Sequence, residues 1–280
     1  MSGVGRLRGT ARLRRRWIAG LAALLIASGC ASAPPPAVSS SGDNGGEAVE
    51  LLVSAAASLK NAMEDIEAAY ERKRPSVDIV YNFGASGALQ RQIEQGAPVD
   101  VFLSAAAKPM EALIERKLIE PDRVEPLLTN ELVLVVPADR GAAIGSLADL
   151  SGEGIRNIAI GIPGSVPAGG YAQEALSAAG LWEELAPKIV QAKDVRQVLQ
   201  YVETGNADAG FVYKTDALTS KKAVIAAVVD PLLHEPIVYP AGVLNAAKHA
   251  AESEEFLLYL RSEEAADVFA KYGFAAWEPS

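Results

Sequence analysis

The chain has 280 residues, is 50% hydrophobic by the usual count, and carries 24 glycines and 16 prolines. That composition supports one or two globular domains with a sizeable buried core and excludes a fibrous or wholly disordered protein. The formal charge is −9, but residues 1–29 hold six arginines and no acid, so the remainder has 20 basic against 35 acidic residues, or −15. Such a body repels nucleic acid and anionic lipid, so any site for a small anion must work through short-range contacts.

Residues 1–30 read MSGVGRLRGTARLRRRWIAGLAALLIASGC: a basic start, an apolar run from Trp17 to Ala27, then small residues ending at the only cysteine. The run is too short to cross a bilayer comfortably, which makes residues 1–29 an export signal. The end of it, "IASGC", resembles the lipobox of bacterial lipoproteins, with Ala27 where leucine is commoner. That resemblance implies lipidation of Cys30, leaving no thiol for an intramolecular disulfide. Residues 30–47 continue with proline, serine and glycine and almost no large apolar side chain, the composition of a flexible tether. The expected product is an exported domain held to a membrane face by its lipid anchor alone.

From Val49 onward, apolar strand-like runs alternate with segments of helical period, the pattern of an α/β protein with mainly parallel sheets flanked by helices. "VELLVSAA" precedes a segment in which Leu59, Met63, Ile66 and Tyr70 share a helical face, and "VDIVYNF" sets Val77, Ile79, Tyr81 and Phe83 on one side of a strand. "VDVFLSA" follows a short helix carrying Leu89 and Ile93. Further strands are read in "LVLVVP", "IAIGIP", "KIVQA", "AGFVY" and "AVIAAVV", with a helix placing Val195, Val198, Leu199 and Val202 together. Two amphipathic helices close the chain, divided near Arg261 and Ser262. So many strands favour two lobes over one open sheet. The expected division is 48–128 with 239–280 in one lobe and 129–238 in the other, with crossings near 127–131 and 236–241.

Open α/β sheets bind ligands beyond the carboxyl ends of their strands, where helix N–H groups collect without partners. Five junctions fit. Ser58 in "SAAASLKNAM" and Ser86 in "YNFGASGALQ" each read, taken singly, as helix N-caps turned inward, though Gly84 and Gly87 let the backbone come close to a guest. In "IGIPGSVPAGGYAQEAL" the N–H of Ala168 is the first donor after Pro167, which has none. In "IVQAKDVRQVL" Asp194 is a natural N-cap, leaving the N–H of Val195 without an intrahelical acceptor. In "AGFVYKTDAL" Tyr213 ends a strand with its hydroxyl near the same edge, equally consistent with half-buried core.

Together "AAASLKNAM", "FGASGALQRQIEQGAPVDVFLSA", "VPAGGYAQEAL", "KDVRQVLQYVETGNADAGFVYKTDA" and "FAKYGF" resemble the molybdate-binding proteins of bacterial ABC importers over residues 49–275. The resemblance implies the two-lobed periplasmic binding protein type II fold with one oxyanion in the interlobe cleft. Carried over motif by motif, it implies Ser58 and Ser86 as ligands through hydroxyl and N–H, Ala168 and Val195 through N–H, and Tyr213 through its hydroxyl. The metal thus enters only as the centre of molybdate or tungstate, and no cofactor is implied. Where related chains have a serine-rich turn around the second serine, this one has Ala85 and Gly87. The implied partners are a membrane permease and its cytoplasmic ATPase, with this chain acting as a monomer.

These ligands are all neutral donors. Molybdate and tungstate are fully deprotonated near neutral pH and want donors only, whereas protonated phosphate would want an acceptor. A binding protein of the same fold for sulfate or phosphate is the nearer alternative. An exported serine hydrolase is the remoter one: G-A-S-G around Ser86 lacks the spacing of a nucleophile elbow, and only His234 and His249 are available as bases. Both histidines read as surface or packing residues, and no enzyme activity is expected.

Overall fold

The computed structural model describes residues 48–140 and 144–278. The expected export signal at 1–29, Cys30 and the tether to residue 47 lie outside the described residues. The first half of the chain builds β1 (Val49–Ala56), α1 (Lys60–Lys73), β2 (Val77–Gly84), α2 (Ser86–Glu94), β3 (Val101–Leu103), α3 (Ala107–Glu115), β4 (Val124–Thr129) and β5 (Leu132–Pro137). Then come β6 (Ile158–Gly161), α4 (Pro167–Ala178), α5 (Trp182–Leu185), β7 (Ile189–Ala192), α6 (Val195–Glu203), β8 (Ala209–Tyr213), α7 (Lys214–Ala217) and β9 (Ala223–Val228). The last elements are β10 (Val238–Val243), α8 (Ala250–Leu260), α9 (Glu263–Lys271) and β11 (Ala275–Ala276).

Two sheets result, one ordered β11-β4-β10-β3-β1-β2 and the other β7-β6-β8-β5-β9. The sequence pattern predicts mainly parallel sheets; the sheets are mixed. β1 pairs in parallel with β2 and β3, and β6 with β7 and β8, because helical crossovers join them. β10 and β4, and likewise β5 and β9, pair antiparallel. Hydrophobic period carries no information on strand direction, which accounts for the difference. β4 and β10 are further disguised by Pro126 and Pro240, which face each other where the register shifts, one of the few places a sheet tolerates a residue without an N–H.

The helical faces read from the sequence are buried as expected. Leu59, Met63, Ile66 and Tyr70 pack beneath the first sheet, and Val195, Val198, Leu199 and Val202 against the second. α6 lies directly on β8 at Gly210, where a methyl group would meet Val202 Cγ2 at 2.8 Å and Val198 Cγ1 at 3.0 Å. α4 comes closer still: a methyl group on Gly169 would stand 2.0 Å from the Gly161 carbonyl oxygen. The second contact sets the start of α4 hard against the end of β6.

Candidate functional site

The singled-out residues come together. Ser58, Ser86, Ala168, Val195 and Tyr213 all line one small space beyond the carboxyl ends of β1, β2, β6, β7 and β8. The most exposed of them, Val195, is only 4% accessible. The centre of a water-sized sphere can move over about 10 Å³ there, about what one water needs, so neither a sugar nor an amino acid fits. No charged side chain is among the described residues lining it. A larger groove of about 710 Å³ alongside, between α3 and α4, contains none of the five.

Neither serine caps a helix. Ser58 sits in a 3₁₀ turn, Ala57–Leu59, that runs into α1 with no side-chain cap, and its Oγ lies 3.0 Å from the Tyr239 hydroxyl. Ser86 is the first residue of α2, whose cap position is Ala85. The Ser86 Oγ accepts the backbone N–H of Ala105 at 2.9 Å. A hydroxyl has one proton and room to accept twice, so this bond fills an acceptor site and leaves the Ser86 proton to be donated. The N–H groups of Gly87, Ala88 and Leu89 are committed to Ser165 and Ala85 carbonyls, whereas the Ser86 N–H, at the first helical position, has no intrahelical acceptor.

The two backbone donors are placed as their sequences dictate. Pro167 takes the first position of α4 and Ala168 the second, with the close packing of Gly169 on Gly161 fixing the approach. Asp194 caps α6, its carboxylate accepting the Gln197 N–H at 2.8 Å. The Val195 N–H therefore begins the helix without a partner inside it, and helix starts of this kind favour negative charge. Tyr213 is buried at the end of β8, and its hydroxyl donates to the Ala105 carbonyl at 3.1 Å. Burial drives its phenol well above the ordinary range, so it stays protonated and remains a donor.

Contacts between the two halves surround this space. Gly87 N–H donates to the Ser165 carbonyl at 2.9 Å, and a methyl group on Gly87 would stand 2.8 Å from that oxygen. Arg91 Nη2 donates to Ser165 Oγ at 2.7 Å. Gly87 thus permits a close approach of protein backbone, where its sequence suggests room for a guest. Arg196 donates from Nε to the Ala57 carbonyl and from Nη2 to the Ser58 carbonyl, each at 3.3 Å, while its Nε lies 2.7 Å from Asp216 Oδ1. Burial raises the Asp216 carboxyl to about 6, against the pull of Arg196 and of the Tyr213 backbone N–H. Arg91 and Arg196 are thereby engaged in protein contacts. Neither histidine reaches a serine of the site; His234 Nδ1 pairs with the Glu235 carbonyl.

Ala105, Asn130, Arg196 and Tyr239 are the participants that sequence reading misses. Arg196 had a signal, since it follows Val195 in the helix start. Ala105 is one more small residue at a strand end, and Asn130 and Tyr239 fall in the expected crossings.

Comparison with known proteins shows the family of the chain. A model of the family described as "Bacterial extracellular solute-binding protein" matches residues 51–275. A Bacillus subtilis protein named as a candidate ABC transporter substrate-binding lipoprotein, YvgL, is 46% identical over 260 residues, 93% of this chain and 97% of that one. The Escherichia coli molybdate-binding protein ModA is 39% identical over 230 residues, 80% of this chain and 88% of that one. The solved periplasmic molybdate-binding protein of Azotobacter vinelandii superposes with a TM-score of 0.73 at 26% identity, covering 82% of this chain and all of that one.

Proposed function

Starting from the chain's membership of the bacterial extracellular solute-binding proteins, we propose that it binds molybdate, and tungstate as well, and delivers the ion to an ABC importer. The observation that carries this reading is the convergence of Ser58, Ser86, Ala168, Val195 and Tyr213 on one small space lined by no charged side chain. Relatives named as molybdate-binding, at 37% and 39% identity, support the choice of ion.

The chemistry follows from the donors. Ser58, Ser86 and Tyr213 offer O–H groups, and the starts of the 3₁₀ turn, α2, α4 and α6 offer N–H groups. A hydrogen bond to a charged group contributes roughly 1.5–3 kcal/mol net. Dehydrating a dianion and ordering the cleft offset much of the total. Tyr213 would exchange its bond to the Ala105 carbonyl for one to an anion oxygen. Because donors come from both sheets, the anion favours the arrangement in which the halves meet. We take 48–128 with 239–280 as one lobe and 129–238 as the other, and their closure as the signal read by the permease and its ATPase. The family acts outside the cytoplasm; a lipid on Cys30 and the tether of 30–47 would keep the protein at the membrane face.

Calorimetric titration with molybdate, tungstate, sulfate and phosphate tests the proposal. Molybdate and tungstate should bind far more tightly than the other two. Sulfate binding as tight as molybdate would refute the assignment of the ion, since a rigid cavity of backbone donors should leave the smaller anion poorly reached.

A further inference from the structure

The direction of the hydrogen bond at Ser58 can be read from its far end. The Glu131 N–H donates to Asn130 Oδ1 at 2.9 Å, which fixes the amide. Asn130 Nδ2, which has protons and no acceptor capacity, then faces Thr215 Oγ1 at 2.9 Å and the Tyr239 oxygen at 3.1 Å. Tyr239 accepts that bond and keeps its single proton, for which Ser58 Oγ, 3.0 Å away, is an acceptor within hydrogen-bond reach. Ser58 accepts in turn, and its own proton is left for the space it lines. Asn130 and Tyr239 do not line that space. At Ser86 the same polarity is imposed by the backbone N–H of Ala105.

We infer that Asn130 and Tyr239 are positioning residues that set the polarity of the anion site, holding Ser58 as a donor and so favouring fully deprotonated oxyanions over those that carry a proton. The inference rests on the oxyanion reading above. Freed of Tyr239, the Ser58 hydroxyl can turn and offer a lone pair, which a protonated oxyanion uses and molybdate does not. With a carboxylate at position 130 the relay runs backwards: the carboxylate accepts from Tyr239, Tyr239 accepts from Ser58, and Ser58 presents its lone pairs to the ligand.

The test is calorimetric titration of wild type, Tyr239→Phe and Asn130→Asp with molybdate and with hydrogenphosphate at mildly alkaline pH. Both ions then carry two charges, so the charge that Asn130→Asp adds weighs on both alike. Tyr239→Phe should lower the ratio of molybdate to phosphate affinity by about tenfold, one charge-assisted hydrogen bond, and Asn130→Asp should lower it further. Tyr239→Phe keeps the ring that packs on Tyr213 and Phe274, and a thermal melt confirms that each variant is folded; it decides alone if Asn130→Asp does not fold. An unchanged ratio, or an equal loss for both ions, would overturn the relay and leave these residues a purely structural role. A wild type that ignores molybdate would instead defeat the oxyanion reading, and the relay's premise with it.

Discussion

The backbone N–H of Ala105 donates to the Oγ of Ser86 at 2.9 Å, inside the protein and beside the space where the two sheets meet. This bond makes Ser86 both a structural acceptor and a directed donor. Ser86→Ala should therefore act twice. Molybdate affinity should fall by one to two orders of magnitude, the worth of a charge-assisted hydrogen bond. The buried Ala105 N–H, left without an acceptor, should lower stability by roughly 1–3 kcal/mol. Calorimetry and denaturant unfolding measure the two effects separately, and a variant that binds molybdate like wild type would remove Ser86 from the site.

Gly87→Ala should spare stability and weaken binding. Gly87 lies inside α2, where alanine is the better helix former. The added methyl group would stand 2.8 Å from the Ser165 carbonyl oxygen, across the boundary between the two proposed lobes. The expected result is an unchanged or slightly raised melting temperature, a severalfold loss of molybdate affinity, and a larger radius of gyration with ligand by small-angle scattering.

Gly169→Ala should do the reverse, harming stability first. Its methyl group would stand 2.0 Å from the Gly161 carbonyl oxygen, and backbone cannot swing aside as a side chain can. α4 must shift off β6, at a cost of about 1–3 kcal/mol, carrying the Ala168 N–H out of place. A thermal melt should show the loss without ligand, and added molybdate should restore less stability than it gives to wild type.

Asp216 should leave a signature in the pH dependence of stability. Its folded value of about 6 lies above the ordinary 3.8 because burial outweighs the pull of Arg196. The folded state thus binds this proton more tightly than the unfolded chain, and its contribution falls as pH rises from about 4 to about 6. Asp65, held low by Lys271 and Tyr272, and Glu264, held low by Lys73, act in the opposite sense at lower pH. The difference between wild type and Asp216→Asn isolates the effect: relative to the variant, wild type should lose stability across that window. A flat difference would contradict the assignment.

Much of this was legible in the sequence where local chemistry decides the outcome. The apolar faces of α1 and α6, Pro167 opening α4 and Asp194 capping α6 all depend on residues within a turn or two of each other. The same holds for the position of the five candidate ligands at strand ends. Strand direction was not legible, since alternation of apolar residues is the same either way, and prolines concealed β4 and β10. The serines' true partners were hidden for a different reason. Ser58 meets Tyr239 across 181 residues of chain and Asn130 meets Tyr239 across 109, so a local reading assigns both serines to helix caps that the structure gives to Leu59 and Ala85.

The central claim is that neutral O–H and N–H groups from both halves replace the water around a tetrahedral dianion. A crystal structure of the protein grown with excess molybdate tests it most directly. The account predicts an ion whose oxygens lie within hydrogen-bond distance of Ser58, Ser86, Ala168, Val195 and Tyr213, with no lysine or arginine touching it. An ion seated instead against Arg91 or Arg196, or molybdate found only outside this cleft, would contradict it.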